Sequence, residues 1–127
     1  FDHIVVGVAT NPQQRPCFSH HDRLTMVQET FAALPQVEVA GFEGLLVSFA
    51  KEHHACAILR GLRAASDFEY EFQMATMNRH LDSSIETAFV MAREDYTFVS
   101  SRFIREISAM GGDVSALLPE PALRRVG

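Results

Sequence analysis

Residues 58–80 read ILRGLRAASDFEYEFQMATMNRH, and this stretch decides the fold. It opens as the end of a short apolar run, 55–59, which has the length and composition of a buried strand. Arg60-Gly61-Leu62-Arg63 interrupts the run, and a helical pattern follows. On that helix Phe68, Phe72, Ala75 and Arg79 share one stripe, with Met74 and Met77 beside it. Ser66 followed by Glu69 reads as a capping box for its start. A buried strand that meets a helix through two arginines and a glycine suits a phosphorylated ligand. Gly61 lets backbone N–H groups approach an anion without a side chain in the way. Arg60 and Arg63 bring forked donors whose charge does not titrate.

The same alternation extends in both directions. Residues 4–9 are rich in valine, the mark of a strand covered on both faces. Thr10-Asn11-Pro12 ends it and opens a polar loop to Phe18. Ser19 with Asp22 signals a helix start, and Leu24, Val27 and Phe31 repeat at helical spacing up to Leu34-Pro35. A second strand is expected over 37–40, closed by Gly41, then a helix from about 44 to 53. The fourth strand is expected over 85–91. Ser100-Ser101 starts another helix, with Phe103, Ile104, Ile107 and Met110 as its apolar positions and Gly111-Gly112 as its stop. Residues 114–118 and 121–126 read as short helical pieces. This order implies an α/β fold, a parallel sheet with helices on both faces, in a single domain over 1–127.

Composition narrows the function. A net charge of −5 argues against a nucleic-acid partner, since duplex affinity needs a basic surface. The apolar runs are far shorter than the ~18 residues of a membrane helix, so no membrane partner is expected. No charged segment followed by an apolar one opens the chain, so nothing indicates secretion. Cys17 and Cys56 have no metal-type spacing; Cys56 reads as a buried small hydrophobe and Cys17 as an accessible thiol. A cytoplasmic location is the natural reading.

In open parallel sheets, ligands bind beyond the carboxyl ends of the strands. The polar features fall there in turn: Thr10 to Arg15 after the first strand, Arg60 to Arg63 after the third, and Arg93 to Thr97 after the fourth. Ser100-Ser101 adds a helix N-terminus, where free N–H groups favour a phosphate. Glu71 is placed to orient an arginine or to accept from a ribose hydroxyl. Plainer readings stand beside these. Arg60 and Arg63 are also suited to surface pairs with Asp67 and Glu71, and Ser100-Ser101 is more often an ordinary N-cap than a phosphate site. The pairs His20-His21 and His53-His54 point in different directions, which disfavours a metal site. Met74, Met77 and Phe72 read as core or as a subunit contact. No Walker loop, G-x-G-x-x-G, H-E-x-x-H or G-x-S-x-G occurs.

Arg60-Gly61-Leu62-Arg63, Asp67-Phe68-Glu69-Tyr70-Glu71 and Met77-Asn78-Arg79-His80 together resemble the phosphopantetheine adenylyltransferase family of the nucleotidyltransferase superfamily. Phe98-Val99-Ser100-Ser101 with Arg105 is similar to the family's I-S-S-T-x-x-R element, and Gly112-Asp113-Val114 with Leu118-Pro119 to its C-terminal end. The resemblance implies a Rossmann-like fold and transfer of the adenylyl group of ATP to 4′-phosphopantetheine, with Mg²⁺, giving dephospho-coenzyme A and pyrophosphate. It implies ATP contacts from Gly61, Leu62, Arg63, Glu71, Tyr96, Thr97, Phe98, Val99, Ser100, Ser101 and Arg102. Gln14, Leu46 and Arg60 would face 4′-phosphopantetheine, with Arg63 and Ser101 as the catalytic residues. A homohexamer and feedback inhibition by coenzyme A are implied as well.

The chain departs from the family pattern at three places. Gln14, beside Arg15, stands where many members carry a lysine, and Arg102 where Ser or Thr is usual. No H-x-G-H occurs in the 127 residues. On the resemblance, the strand and histidine of that motif would precede Phe1, so the domain reads as N-terminally incomplete, with its first, central strand missing. The strands over 4–9 and 55–59 are then expected to flank a vacant position, roughly 10 Å apart. Adenylyl transfer by these residues alone is expected to be negligible. Two other readings remain: another nucleotidyltransferase of the superfamily, and a non-catalytic flavodoxin-like binding domain.

Overall fold

The computed structural model describes residues 1–11 and 16–126, with Ser66 described by its backbone alone. The elements follow the expected order: β1 (Ile4–Thr10), α1 (His20–Phe31), β2 (Val37–Glu43), α2 (Leu46–Glu52), β3 (Ala57–Leu62), α3 (Ala65–Leu81) and β4 (Glu86–Met91). A single 3₁₀ turn, Glu94–Tyr96, leads on to α4 (Ser101–Ala109) and α5 (Glu120–Val126). Both strand pairings are parallel, and they form two two-stranded sheets, β1 with β2 and β3 with β4. The chain divides into two compact units, Phe1–Gly44 with Ser100–Gly127, and Leu45–Val99.

In the first unit β1 and β2 run in register from Ile4 opposite Val37 to Thr10 opposite Glu43. β2 thus continues past Gly41, where a stop was expected. The glycine serves a close approach instead. A Cβ at this position would lie 2.7 Å from Nε2 of His20, whose Nδ1 is 2.9 Å from the Thr10 hydroxyl. The first residue of α1 therefore lies where a side chain on β2 would have been. α1 starts as its sequence signal indicates, with the Ser19 hydroxyl accepting from the Asp22 N–H at 3.1 Å.

α1 packs on both strands and buries Met26, yet Val8 is the one buried residue of β1 and Ile4 is exposed. β1 is therefore not covered on both faces, as its valines suggested; it has one described sheet neighbour and α1 on one side. α5 packs on α1, where Glu29 pairs with Arg124 at 2.9 Å and Arg125 at 3.3 Å. Ser100 caps α4 by accepting from the Phe103 N–H, and Gly111, with φ of +80°, follows its end. Residues 115–117 form a turn rather than a helix.

In the second unit the ladder runs from Ala57 opposite Glu86 to Leu62 opposite Met91. Val47 and Ala50 of α2 pack with Ile58 and Ile85 to make its core. Burial of each large aliphatic side chain contributes about 1.5–3 kcal/mol, enough for this small patch to hold α2 in place. β3 begins and ends later than its apolar run implied, so Arg60, Gly61 and Leu62 are strand residues rather than a turn. Cys56, just before β3, is exposed and not buried. Phe72, Met74 and Met77 are also exposed, which removes them from the core of this chain.

α3 begins one residue before Ser66, with Ala64 as its cap residue, so Ser66 is not the cap. Asp67 explains the shift. It is the third residue of the helix, and its carboxylate reaches back to the backbone N–H of Arg63 at 3.2 Å and to that of Ala64. An acid at this position satisfies N–H groups that the helix itself leaves free. No helix among the described residues is long and apolar enough to cross a membrane.

Candidate functional site

The C-terminal half of β3 carries the polar residues that the sequence singles out. Arg60 and Gly61 sit opposite Phe89 and Val90 of β4, and Arg63 is the first residue beyond the strand. α3 packs back on β3 and β4, so residues on its inner face can meet them. Glu71 does so. Its carboxylate accepts from Arg60 Nε at 2.8 Å and from Nη2 at 2.6 Å, a bidentate pair. The Glu71 side chain is 12% exposed and that of Arg60 43%. The hydrogen bonds donated to Glu71 raise the Arg60 pKa above its ordinary value, against the opposing effect of burial. The guanidinium stays charged at any physiological pH.

A cavity of about 50 Å³ adjoins this pair, lined by Leu46, Arg60, Tyr70, Glu71, Met74 and Asn78 among others. Leu46 and Arg60, expected on one ligand, thus share a cavity with Glu71, expected on another. Asn78 is a residue that sequence reading missed as a site candidate. It is the buried polar residue among the described ones, at 7% exposure. The available signal was its spacing: Glu71, Met74 and Asn78 stand at i, i+3 and i+7, one face of α3.

Arg63 has a second arrangement. Nε and Nη2 donate to the Asp67 carboxylate at 2.9 and 3.2 Å, and Nη1 donates to the Val99 carbonyl at 2.5 Å. The Arg63 guanidinium, through these hydrogen bonds, holds the Asp67 carboxyl below the usual carboxylate range. The plainer expectation of arginine–carboxylate pairs is therefore met, as Arg60–Glu71 and Arg63–Asp67. Both arginines remain partly exposed.

The segment after β4 emerges at the same edge of the second sheet. The Ala92 N–H donates to the Leu62 carbonyl at 2.8 Å. The Glu94–Tyr96 turn follows, with the Thr97 hydroxyl donating to the Glu94 carbonyl at 3.0 Å. Tyr96 and Phe98 are exposed there. The structure therefore brings Leu62, Arg63, Tyr96, Thr97, Phe98 and Val99 to one sheet edge.

The remaining candidates belong to the first unit. The Ser100 hydroxyl is engaged as a cap, Ser101 is the exposed first residue of α4, and Arg102 pairs with Glu106 at 3.1 Å. Gln14 and its neighbour Arg15 lie outside the described residues. The histidine pairs have local roles: His20 meets Thr10, and the His53 ring packs 4.5 Å from Phe49. Among the described residues, no group of three or more His, Cys, Asp or Glu is gathered to hold a metal.

Gly61 offers a direct test of ligand approach. A Cβ added there meets nothing within 4 Å, and the residue lies in ordinary strand backbone. Gly61→Ala is expected to leave the melting temperature within about 2 °C while weakening ATP binding several-fold. Thermal unfolding with a titration of ATP checks both; unchanged ATP affinity would contradict the Gly61 contact that the resemblance implies.

The sequence model of the cytidylyltransferase-like family matches residues 1–107. A phosphopantetheine adenylyltransferase of Thiobacillus denitrificans is 52% identical over 126 residues, covering 99% of this chain and 79% of that protein. A match over 99% of the chain takes in the Arg60–Arg63 corner, α3 and the segment beyond β4. The chain belongs to the phosphopantetheine adenylyltransferase family, within the cytidylyltransferase-like proteins.

Proposed function

We propose that the protein transfers the adenylyl group of ATP to 4′-phosphopantetheine, giving dephospho-coenzyme A and pyrophosphate in coenzyme A synthesis. One observation carries this reading. At the end of β3 two arginines are each gripped by their own carboxylate, in a chain 52% identical to a phosphopantetheine adenylyltransferase. Arg60, with Leu46 and the adjoining cavity, receives the phosphate end of 4′-phosphopantetheine, and the resemblance adds Gln14 to the contacts of that substrate. Gly61, Leu62, Arg63 and Glu71, with residues 96–102, receive ATP.

A phosphate oxygen of 4′-phosphopantetheine attacks the α-phosphorus of ATP, and the bond to pyrophosphate breaks. No covalent enzyme intermediate is needed. Positioning, with charge offset by Arg63 and a donor from Ser101, supplies the rate. Mg²⁺ bound with ATP would offset the charge that develops on the departing pyrophosphate. Coenzyme A, sharing the pantetheine arm, acts as a feedback inhibitor at the same surface. The exposed Phe68, Phe72, Met77 and Leu81 of α3 support assembly with further copies, to a homohexamer. The two free, exposed cysteines are compatible with the reducing cytoplasm.

The test is calorimetric titration with ATP, CTP, 4′-phosphopantetheine and coenzyme A. ATP is expected to bind in preference to CTP, and coenzyme A to displace 4′-phosphopantetheine. A preference for CTP would favour another nucleotidyltransferase, and indifference to all four a non-catalytic binding domain.

A further inference from the structure

Arg63 spends three of its five N–H donors within its own unit. Nε and one hydrogen of Nη2 go to the two oxygens of Asp67, and one hydrogen of Nη1 goes to the Val99 carbonyl. Among the described residues one N–H on each Nη has no partner, and the side chain is 41% exposed. The same Asp67 carboxylate also accepts from the backbone N–H groups of Arg63 and Ala64, which sets the start of α3. One acid therefore fixes the backbone at the β3–α3 corner, the plane of the arginine fork and, through that fork, the Val99 carbonyl. A free arginine has many rotamers, and ordering it at the moment of binding opposes association. An arginine ordered beforehand presents its last two donors without that loss.

We infer that Asp67 is a positioning residue for nucleotide binding: it touches no substrate, and it holds the Arg63 guanidinium and the approach to Val99 in the arrangement that receives the ATP phosphates. The inference rests on the reading of Arg63 as an ATP contact given under Proposed function. Arg60, read as the 4′-phosphopantetheine contact, is held by a different acid, Glu71, so its ligand should not respond to a change at Asp67.

The experiment compares the full chain with Asp67→Asn, Asp67→Glu and Arg63→Ala. Each is titrated with ATP and, separately, with 4′-phosphopantetheine, and the Arg63 Nε–H signal is followed by NMR. Asp67→Asn retains an oxygen for the backbone N–H groups and loses the charge and the second acceptor. It is expected to weaken ATP binding about tenfold, to leave 4′-phosphopantetheine binding unchanged, and to lose the slowly exchanging Arg63 signal of the parent chain. Asp67→Glu retains charge and suits a helix start, but shifts the carboxylate by one methylene; a several-fold loss for ATP alone is expected. A purely structural role would instead weaken both ligands together, or let Asp67→Glu bind ATP fully. Either result overturns the inference, as does tighter ATP binding by Asp67→Asn, which would show a carboxylate competing with phosphate. If Arg63→Ala binds ATP as the parent does, the fault lies in the reading of Arg63 itself.

Discussion

Arg63→Ala is expected to weaken ATP binding by roughly 10- to 100-fold, the loss of one or two charge-assisted hydrogen bonds to phosphate. The side chain stands at the edge of the second sheet with two donors uncommitted among the described residues, so its removal takes away charge and geometry together. Fold stability should change little, because water can reach both groups that Arg63 leaves behind. The Asp67 carboxyl, now held low by Arg63, should return toward its ordinary value in the variant.

That shift also fixes the sign of a pH effect. A carboxylate with a depressed folded pKa contributes stability above its unfolded value and loses it as pH falls through the folded one. The Arg63–Asp67 contact should therefore persist from roughly pH 8 to 5 and fail only below about pH 4. Calorimetry with ATP checks the main expectation. Unchanged affinity would take Arg63 out of the nucleotide site.

The second large effect separates stability from binding at the neighbouring pair. Arg60→Ala leaves Glu71, with a side chain only 12% exposed, without its counter-charge. A cost of about 1–3 kcal/mol is expected, below that of a fully buried pair because Arg60 is half exposed. Thermal unfolding should then fall by several degrees. Replacing both partners, Arg60→Met with Glu71→Leu, removes the charges together and fills the space beside the small cavity lined by Leu46 and Met74. Stability should return to within about 1 kcal/mol of the parent, since an ion pair can be exchanged for packed apolar groups at little cost. Binding of 4′-phosphopantetheine should nevertheless be lost by at least tenfold, because no cation remains for its phosphate. Recovery of binding along with stability would mean that Arg60 is a structural arginine.

The helix starts show how local and distant information differ. Ser19 and Ser100 were legible as caps because a cap is a contact across three residues, and each hydroxyl accepts the N–H its spacing indicated. The Ser66 signal failed because Asp67 offers a stronger acceptor to the backbone just before it. Gly41 looked like a strand stop, and only the His20 ring lying against it shows why a glycine stands inside β2. Cys56 looked buried because it sits in an apolar run, yet it is exposed, and Phe72, read as core or subunit contact, is exposed in the single chain. Hydrophobic character records a tendency to be covered, and not by which surface.

The amino-acid sequence by itself determined the alternation of strands and helices, the parallel pairing that follows from it, and the membership of the family. These depend on periodicity and on motifs read over short spans. Only the tertiary structure decided that Arg60 takes Glu71, eleven residues on, as its partner, and that Arg63 reaches the Val99 carbonyl, thirty-six residues on. Those partners are set by which face of α3 packs on β3 and by where the chain after β4 passes the end of β3. Contacts of that kind are made by the fold, and no local pattern encodes them.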